Sequence, residues 1–240
     1  MYRNHRIWLS GNPGFMSMSN DASSTKLLVH SDTTDANTTF TDSSSSGRTL
    51  VAVGNAQHST TQQKWGKTAL KFDGTGDYVE PNLASVDFNF SDGDFTIDFW
   101  VYFDDISTDR GFWGSYTSDT DFCALYWAQA STEVTLDFMS PIGNDDTHAW
   151  TWSPSADIWY HLALTRWGDY ANVFIGGVAL EADHSITHDI DANDKPTIGA
   201  AQVSAAGGIM YHQGYLDEFR VVKGKAMWEA NFIPPLGPYK

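Results

Sequence analysis

The stretch Phe95-Thr-Ile-Asp-Phe-Trp-Val-Tyr-Phe103 decides the fold of this 240-residue chain. Its odd-numbered positions are all apolar, whereas its even-numbered positions mix polar and aromatic side chains. Successive side chains of a β-strand point to opposite faces, so this alternation places the whole apolar set on one face. A helix would distribute the same residues around its circumference. The stretch therefore predicts a strand whose apolar face packs against a second sheet.

Short segments of the same kind recur along the rest of the chain, and turns rich in glycine separate them. Val134–Phe138 alternates as a half-buried strand does, and Gly176-Gly177 is typical of a tight hairpin turn. About a dozen such strands with almost no helix predict an all-β, two-sheet antiparallel sandwich or jelly roll. The other predicted strands are Leu27–His30, Thr68–Phe72, Tyr78–Glu80, Phe122–Trp127, His148–Trp152, Trp159–Arg166, Ala171–Ile175, Val178–Glu181, Thr197–Ala200 and Tyr215–Val222.

Composition and charge support this fold class and restrict the partners. The chain has 20 glycines, 14% aromatic residues and 18% charged residues, which suits a turn-rich sandwich better than a helical bundle. The net charge is −16 and there are only 14 Lys and Arg residues, so nucleic acid and anionic membranes are poor partners. The acidity either keeps the protein soluble through self-repulsion or collects carboxylates for Ca²⁺.

The start of the chain and its cysteine content carry further expectations. Cys123 is the only cysteine, which excludes an intrachain disulfide, and its apolar neighbours predict that it is buried. Neither the apolar core of a signal peptide nor about 18 consecutive apolar residues occur, so we expect a soluble protein without a signal peptide. Residues 1–24 are predicted to form an arm that is either disordered or an attachment segment, and residues 25–240 a single domain.

One ordered set of segments runs through most of the chain, from about Thr25 to Pro235. It includes Lys64-Trp-Gly-Lys-Thr-Ala-Leu-Lys-Phe-Asp-Gly-Thr-Gly-Asp-Tyr-Val79, Gly93-Asp-Phe-Thr-Ile-Asp-Phe-Trp-Val101, Trp159-Tyr-His-Leu-Ala-Leu-Thr165 and Tyr215-Leu-Asp-Glu-Phe-Arg-Val-Val-Lys-Gly224. The set resembles the laminin G-like (concanavalin A-like) jelly-roll domains. The closing segment, from Asp217 to Pro235, is similar to versions of the domain that are common in bacteriophage structural proteins on capsid surfaces and tail fibres.

The resemblance implies a function for the chain. It implies a non-enzymatic virion component, displayed as capsid decoration or as part of a tail fibre and able to bind host-surface glycans. Other virion proteins would hold it through the N-terminal arm or an edge, and its localisation would be the virion. The resemblance also allows a homo-oligomer, since phage appendages are often trimers. A cellular or secreted lectin-like carbohydrate-binding adhesin is the alternative.

Two kinds of binding site follow from the resemblance as well. Jelly rolls of this kind often hold one structural Ca²⁺ ion, and by matching position its ligands would be Asp217, Gly74 and Asp32. Glycans stack on exposed aromatic rings, and the candidates for this contact are Trp113 and Tyr116. Both lie between Asp109 and Asp119, where Gly111 and Gly114 are expected to keep Trp113 out of a strand ladder.

Two other patterns fall short of a catalytic or zinc site. Glycosidases need two carboxylates about 5–9.5 Å apart. Glu133 and Asp137 share a strand face, but that face is expected to be the solvated one, since the apolar residues between and beside them fill the other. His184 and His188 are four residues apart, yet Ser-Ile-Thr between them favours extended chain and no third ligand is near in sequence. We therefore predict a protein that is not an enzyme, with His184 and His188 as a surface pair.

Overall fold

The computed structural model of this chain describes residues 22–140, 145–190 and 195–240. Within these ranges the regular structure consists of strands and one short 3₁₀ helix, Val86–Phe88. The strands are β1 (Thr25–Val29), β2 (Leu50–Val53), β3 (Gln57–Ser59), β4 (Ala69–Asp73), β5 (Tyr78–Pro81), β6 (Phe95–Phe103), β7 (Arg110–Ser118), β8 (Asp121–Ala128), β9 (Glu133–Met139), β10 (Asp145–Thr151), β11 (Trp159–Trp167), β12 (Tyr170–Ile175), β13 (Val178–Ala179), β14 (His184–Ser185), β15 (Thr197–Ile198), β16 (Ala200–Ser204), β17 (Gly208–Tyr211) and β18 (Gln213–Lys223).

The described strands form two large antiparallel sheets and a separate hairpin. The nine-stranded sheet has the order β13-β12-β11-β6-β18-β4-β3, with β1 added to β18 and β14 added to β12. The seven-stranded sheet has the order β10-β9-β8-β7-β15-β5-β2, and β16 pairs with β17. One large apolar cluster, drawn from both sheets, lies between them. The all-β sandwich predicted from the sequence is therefore confirmed.

The strand β6 lies at the centre of the nine-stranded sheet and has the predicted bounds. Its odd-numbered side chains face the second sheet; Phe99, for example, packs against Phe112 of β7 with ring centroids 5.4 Å apart. All nine residues of β6 are buried, including Asp98 and the other even-numbered ones. The polar face is covered because the C-terminal segment of the chain lies across it and brings the hydroxyl of Tyr239 to Asp98.

A buried ion pair joins β18 to β6 at Asp98, the residue that the covering segment contacts. Arg220 donates from Nε and Nη2 to the two oxygens of Asp98 over 2.8 and 3.1 Å. His161 Nε2 lies 3.4 Å from Asp98 Oδ2, and the ring of Tyr239 lies 3.9 Å from the Arg220 guanidinium carbon. Burial on its own would raise the pKa of Asp98, but the charge of Arg220 and the bond from His161 hold that pKa below its ordinary value. Asp98 is therefore ionised inside the protein.

The structure differs from the sequence prediction at Arg110–Ser118, which is the strand β7 and not a loop. Trp113 pairs with Leu125 of β8 and is 0% exposed. The prediction that glycines keep Trp113 out of a strand ladder is therefore wrong. A β-bulge between Gly111 and Trp113 shifts the pairing of β7 with β8 by one residue. Side chains before and after such a bulge change the face to which they point, so simple alternation in the sequence does not identify the buried residues of β7.

The remaining expectations about the chain's organisation have mixed outcomes. Cys123 is buried, as predicted. The predicted arm, residues 1–24, lies outside the described residues except for its last three, so its attachment role stays a prediction. Among the described residues, no helix has the length and apolar character needed to cross a membrane.

Candidate carbohydrate-binding face

The outer face of the seven-stranded sheet presents aromatic and polar side chains in register. Tyr126 of β8 is level with Thr135 of β9, and Ala124 is level with Asp137. Thr147 of β10 continues the second of these rows beyond Asp137. All five point away from the core, because the residues that alternate with them fill it. We call the surface formed by Tyr126, Asp137 and Thr147, together with the buried Thr135 between them, the Tyr126 face.

The Tyr126 face combines a hydrogen-bond donor with acceptors. Burial, together with the charge of Asp137, raises the pKa of the Tyr126 phenol to about 12, so the phenol stays protonated at neutral pH. Thr147 Oγ1 donates to Asp137 Oδ1 over 3.0 Å. Burial also raises the pKa of Asp137, while the bond from Thr147 lowers it. A ring face, a hydroxyl donor and a carboxyl group side by side are what a sugar with its hydroxyl groups requires.

Tyr116 lies at the edge of the same face, in the row next to Ala124. Its ring is half-buried and stacks on Phe122 with centroids 6.5 Å apart. Its hydroxyl donates to Asp119, and the same carboxylate oxygen accepts the N–H of Ala205 over 2.6 Å. The structure thus brings the predicted residue Tyr116 to this surface and ties it to the turn of the β16–β17 hairpin, whereas Trp113 lies in the core.

The β16–β17 hairpin covers β7 on this side and reaches β8, so it borders the Tyr126 face. The two backbones lie unusually close together at Gly111. A Cβ atom there would lie 2.3 Å from the carbonyl oxygen of Met210 and 2.4 Å from the nitrogen of Ala201. A Cβ at Gly114 would lie 3.3 Å from the Cα of Ala201. Glycine is therefore required for close approach of the hairpin and not for a turn.

Substitution of Gly111 by alanine is expected to lower the free energy of unfolding by about 2–3 kcal/mol, or Tm by roughly 4–12 °C. The two nearest atoms are backbone atoms, so the added methyl group must displace the hairpin. Gly237→Ala is the matched control, because a Cβ added at Gly237 meets no heavy atom within 4 Å; its effect should stay within about 0.5 kcal/mol. Thermal melting of both variants checks this, and equal melting temperatures would contradict the close approach.

The three predicted calcium ligands lie in two separate places. Asp217 and Asp32 accept backbone N–H groups from one loop, residues 64–67. Gly74 lies instead beside Gln213, which is four residues before Asp217 on the extended strand β18. As placed, the three groups do not fit around one ion, and the described ranges contain no group of three or more His, Cys, Asp or Glu that could hold a metal ion. Calcium stays a prediction.

The carboxylate pair on β9 has the orientation that the alternation predicts. Glu133 and Asp137 lie on the outer face of the strand, opposite the buried Val134 and Leu136. Four residues of extended chain separate their Cα atoms by about 13 Å, which exceeds the spacing of about 5–9.5 Å that glycosidase carboxylates use. Asp137 is instead a member of the Tyr126 face. The sequence does not single out Tyr126 and Asp137 as a sugar site. It does indicate that both side chains point outward, because the residues that alternate with them in β8 and β9 are apolar.

Comparison with solved structures finds the same fold in binding domains. Domain 4 of a GH43 extracellular arabinanase from Geobacillus stearothermophilus, solved in complex with arabinotriose, is 17% identical with a TM-score of 0.64, over 85% of this chain and 94% of that one. The binding domain of Paraclostridial Mosquitocidal Protein 1 is 15% identical with a TM-score of 0.63, over 87% and 50%. The binding domain of botulinum neurotoxin DC, solved in complex with rat synaptotagmin II, is 11% identical with a TM-score of 0.62, over 86% and 49%.

These likenesses concern the fold, because all three identities are low. The chain spans about half the length of the two toxin chains and nearly all of the arabinanase domain. A comparison with curated proteins finds no match. The family model of the concanavalin A-like lectin/glucanases superfamily matches residues 73–229, which is more than half of the chain. The chain therefore belongs to this superfamily, as a laminin G-type jelly-roll domain.

Proposed function

We propose that this protein is a non-enzymatic glycan-binding domain displayed on a bacteriophage particle, as capsid decoration or as part of a tail fibre. The Tyr126 face carries the binding part of the proposal, because it joins a protonated phenol, a carboxyl group and a threonine hydroxyl in one patch. The arabinanase domain with bound arabinotriose supports carbohydrate as the ligand class. The resemblance of the segment from Asp217 to Pro235 to phage structural proteins supports display, with the arm or an edge as the attachment to other virion proteins.

In the proposed complex, the apolar face of a sugar ring stacks on Tyr126, next to the β16–β17 hairpin. Sugar hydroxyls then accept from the phenol and exchange hydrogen bonds with Asp137 and Thr147. Further carboxylates surround the patch: Asp109 and Glu133 raise the pKa of Tyr126, and Asp145 raises that of Asp137. Their negative field disfavours acidic sugars, so neutral glycans are the expected ligands.

Substitution of Tyr126 by alanine is expected to weaken binding of a neutral glycan roughly 5- to 30-fold, because a ring contact and a hydrogen bond are lost together. Tyr170→Ala is the matched control: Tyr170 is 50% exposed on β12 of the other sheet, and its removal should leave affinity unchanged. A glycan array selects the ligand and calorimetry measures it. Binding that survives Tyr126→Ala would place the site elsewhere, and no binding to any glycan would remove the adhesive role.

Mass spectrometry of purified phage particles tests the display role separately. The chain is expected among the virion proteins, and its peptides should survive particle purification in high salt. Absence from particles, together with glycan binding, would favour the alternative of a cellular or secreted lectin-like adhesin. That alternative is supported by the shared fold of the two toxin binding domains and of the extracellular arabinanase domain solved with arabinotriose.

A further inference from the structure

Three histidines and one aspartate meet at the edge of the sandwich, on the side of β10 opposite the Tyr126 face. We call Asp146, His148, His184 and His188 the histidine cluster. Asp146 and His148 alternate with Thr147 along β10 and point to the core side of that strand. His184 lies on β14, and His188 follows it in the chain. The third and fourth groups that the sequence around His184 and His188 lacks therefore come from β10.

Two histidine nitrogens of the cluster lie close to the same carboxylate oxygen, and the third histidine packs beside them. His148 Nε2 and His188 Nδ1 lie 3.0 and 3.7 Å from Asp146 Oδ2. The His184 ring lies 5.7 Å from the His148 ring between centroids. A tetrahedral zinc site with bonds of about 2.0–2.1 Å places neighbouring donor atoms ~3.3 Å apart and the centroids of two histidine ligands ~5 Å apart. The observed separations lie within about 0.7 Å of these values.

Two of the nitrogens in the cluster are closed to solvent. His148 Nε2 lies 3.0 Å from the carboxylate of Asp146, whereas His188 Nδ1 has no hydrogen bond to any described residue. The His148 side chain as a whole is only 10% exposed. A buried nitrogen without a hydrogen bond, such as His188 Nδ1, costs about 1–3 kcal/mol. A cation bound between these two nitrogens and Asp146 would satisfy both of them, and imidazole with carboxylate is a typical ligand set for zinc.

We propose that the histidine cluster binds one divalent transition-metal ion of the zinc type, with His148, His188 and Asp146 as ligands and His184 as the fourth. As placed, no group of three or more His, Cys, Asp or Glu among the described residues could hold a metal ion, so binding must draw these four side chains together. His188 can make this movement, because its side chain is 41% exposed. The ion would join β10, the edge strand of one sheet, to the segment that follows β14 at the edge of the other. It would cross-link the edges of the two sheets.

Titration of metal-free protein with ZnCl₂ in a calorimeter tests the proposal. One ion per chain is expected, with a rise in Tm at saturating zinc, since a ligand bound only by the folded state stabilises it. Co²⁺ is expected to give the visible absorption of a tetrahedral site. His188→Ala and Asp146→Asn should each weaken zinc binding about 10-fold or more. Loss of a contact that only supports a metal ligand already weakens binding by about this factor, and loss of the ligand itself has at least the same effect.

The controls separate this site from other histidines and from the glycan site. His30→Gln alters a histidine that pairs with Glu218 elsewhere, and it should leave zinc affinity unchanged. Glycan affinity of the Tyr126 face should also be unchanged in His188→Ala, so the two proposals fail independently. His188 is partly exposed and outside any strand, and the metal-free variant should melt like the wild type. Zinc binding of equal strength in His188→Ala and Asp146→Asn, or no stoichiometric binding by the wild type, would overturn the proposal.

Discussion

Asp98→Asn is expected to lower the free energy of unfolding by about 3–5 kcal/mol, a fall in Tm of roughly 6–20 °C for a chain of this size. Asp98 and Arg220 are both buried, and two hydrogen bonds of 2.8 and 3.1 Å join them. Asparagine keeps the shape of the side chain but removes its charge, so the buried guanidinium group loses the carboxylate that it is hydrogen-bonded to and keeps only the weaker attraction of Glu218. The hydroxyl of Tyr239 loses its carboxylate acceptor in the same variant, which loosens the C-terminal segment over β6.

Two further variants show whether the unpaired charge is the cause. Glu229→Gln removes an exposed carboxylate from the same C-terminal segment, and its effect should stay within about 0.5 kcal/mol. Asp98→Asn combined with Arg220→Met should be less destabilised than Asp98→Asn alone, because the buried charge is then gone as well. Urea unfolding measures these three variants and Arg220→Met alone. A near-wild-type Asp98→Asn, or a double variant that loses as much as the sum of its parts, would contradict the explanation.

Acid is expected to destabilise the protein through His212, by up to about 5 kcal/mol between pH 6.5 and pH 3. His212 is fully buried, and its ring contacts those of Phe72, Phe103 and Phe112. Burial lowers the pKa of His212 from 6.5 to about 3. Between these two values the unfolded chain carries a proton on this histidine and the folded chain does not. Stability is therefore complete above pH 6.5 and is lost as the pH falls toward 3.

Unfolding in urea at several pH values checks this expectation with two histidine variants. His212 Nε2 donates to the carbonyl oxygen of Tyr102 over 3.1 Å, and His212→Gln can keep such a bond without titrating. The variant should therefore lose less stability in acid than the wild type. The hydrogen bond to Glu218 raises the pKa of His30, so its contribution to stability changes only between pH 6.5 and that raised value; His30→Gln should therefore leave the acid loss between pH 6.5 and pH 3 as steep as in the wild type. Equal pH slopes in the wild type and His212→Gln would show that His212 does not control acid stability.

The sandwich is readable from the chain because strand alternation is a property of near neighbours. The alternation in Phe95–Phe103 predicts the exact bounds of β6, and Val134–Phe138 is the centre of β9. Alternation says which side of a strand is apolar, but not what covers the other side. Asp98 is an example: its face of β6 looks solvated in sequence and is buried in the fold, because a segment more than a hundred residues later lies across it.

The binding surfaces are harder to predict from the sequence, because they depend on which strands, distant in the chain, become neighbours in the sheets. Taken alone, Gly111 suggests a loop. It lies in β7 instead, where the lack of a side chain allows the β16–β17 hairpin to approach closely. Trp113, in the same strand, is a core residue. His184 and His188 have no further ligand nearby in the chain, and the antiparallel sheets bring them to β10. Local periodicity is thus sufficient for the fold class. The Tyr126 face and the histidine cluster arise from sheet order and register, which join residues that no short-range pattern connects.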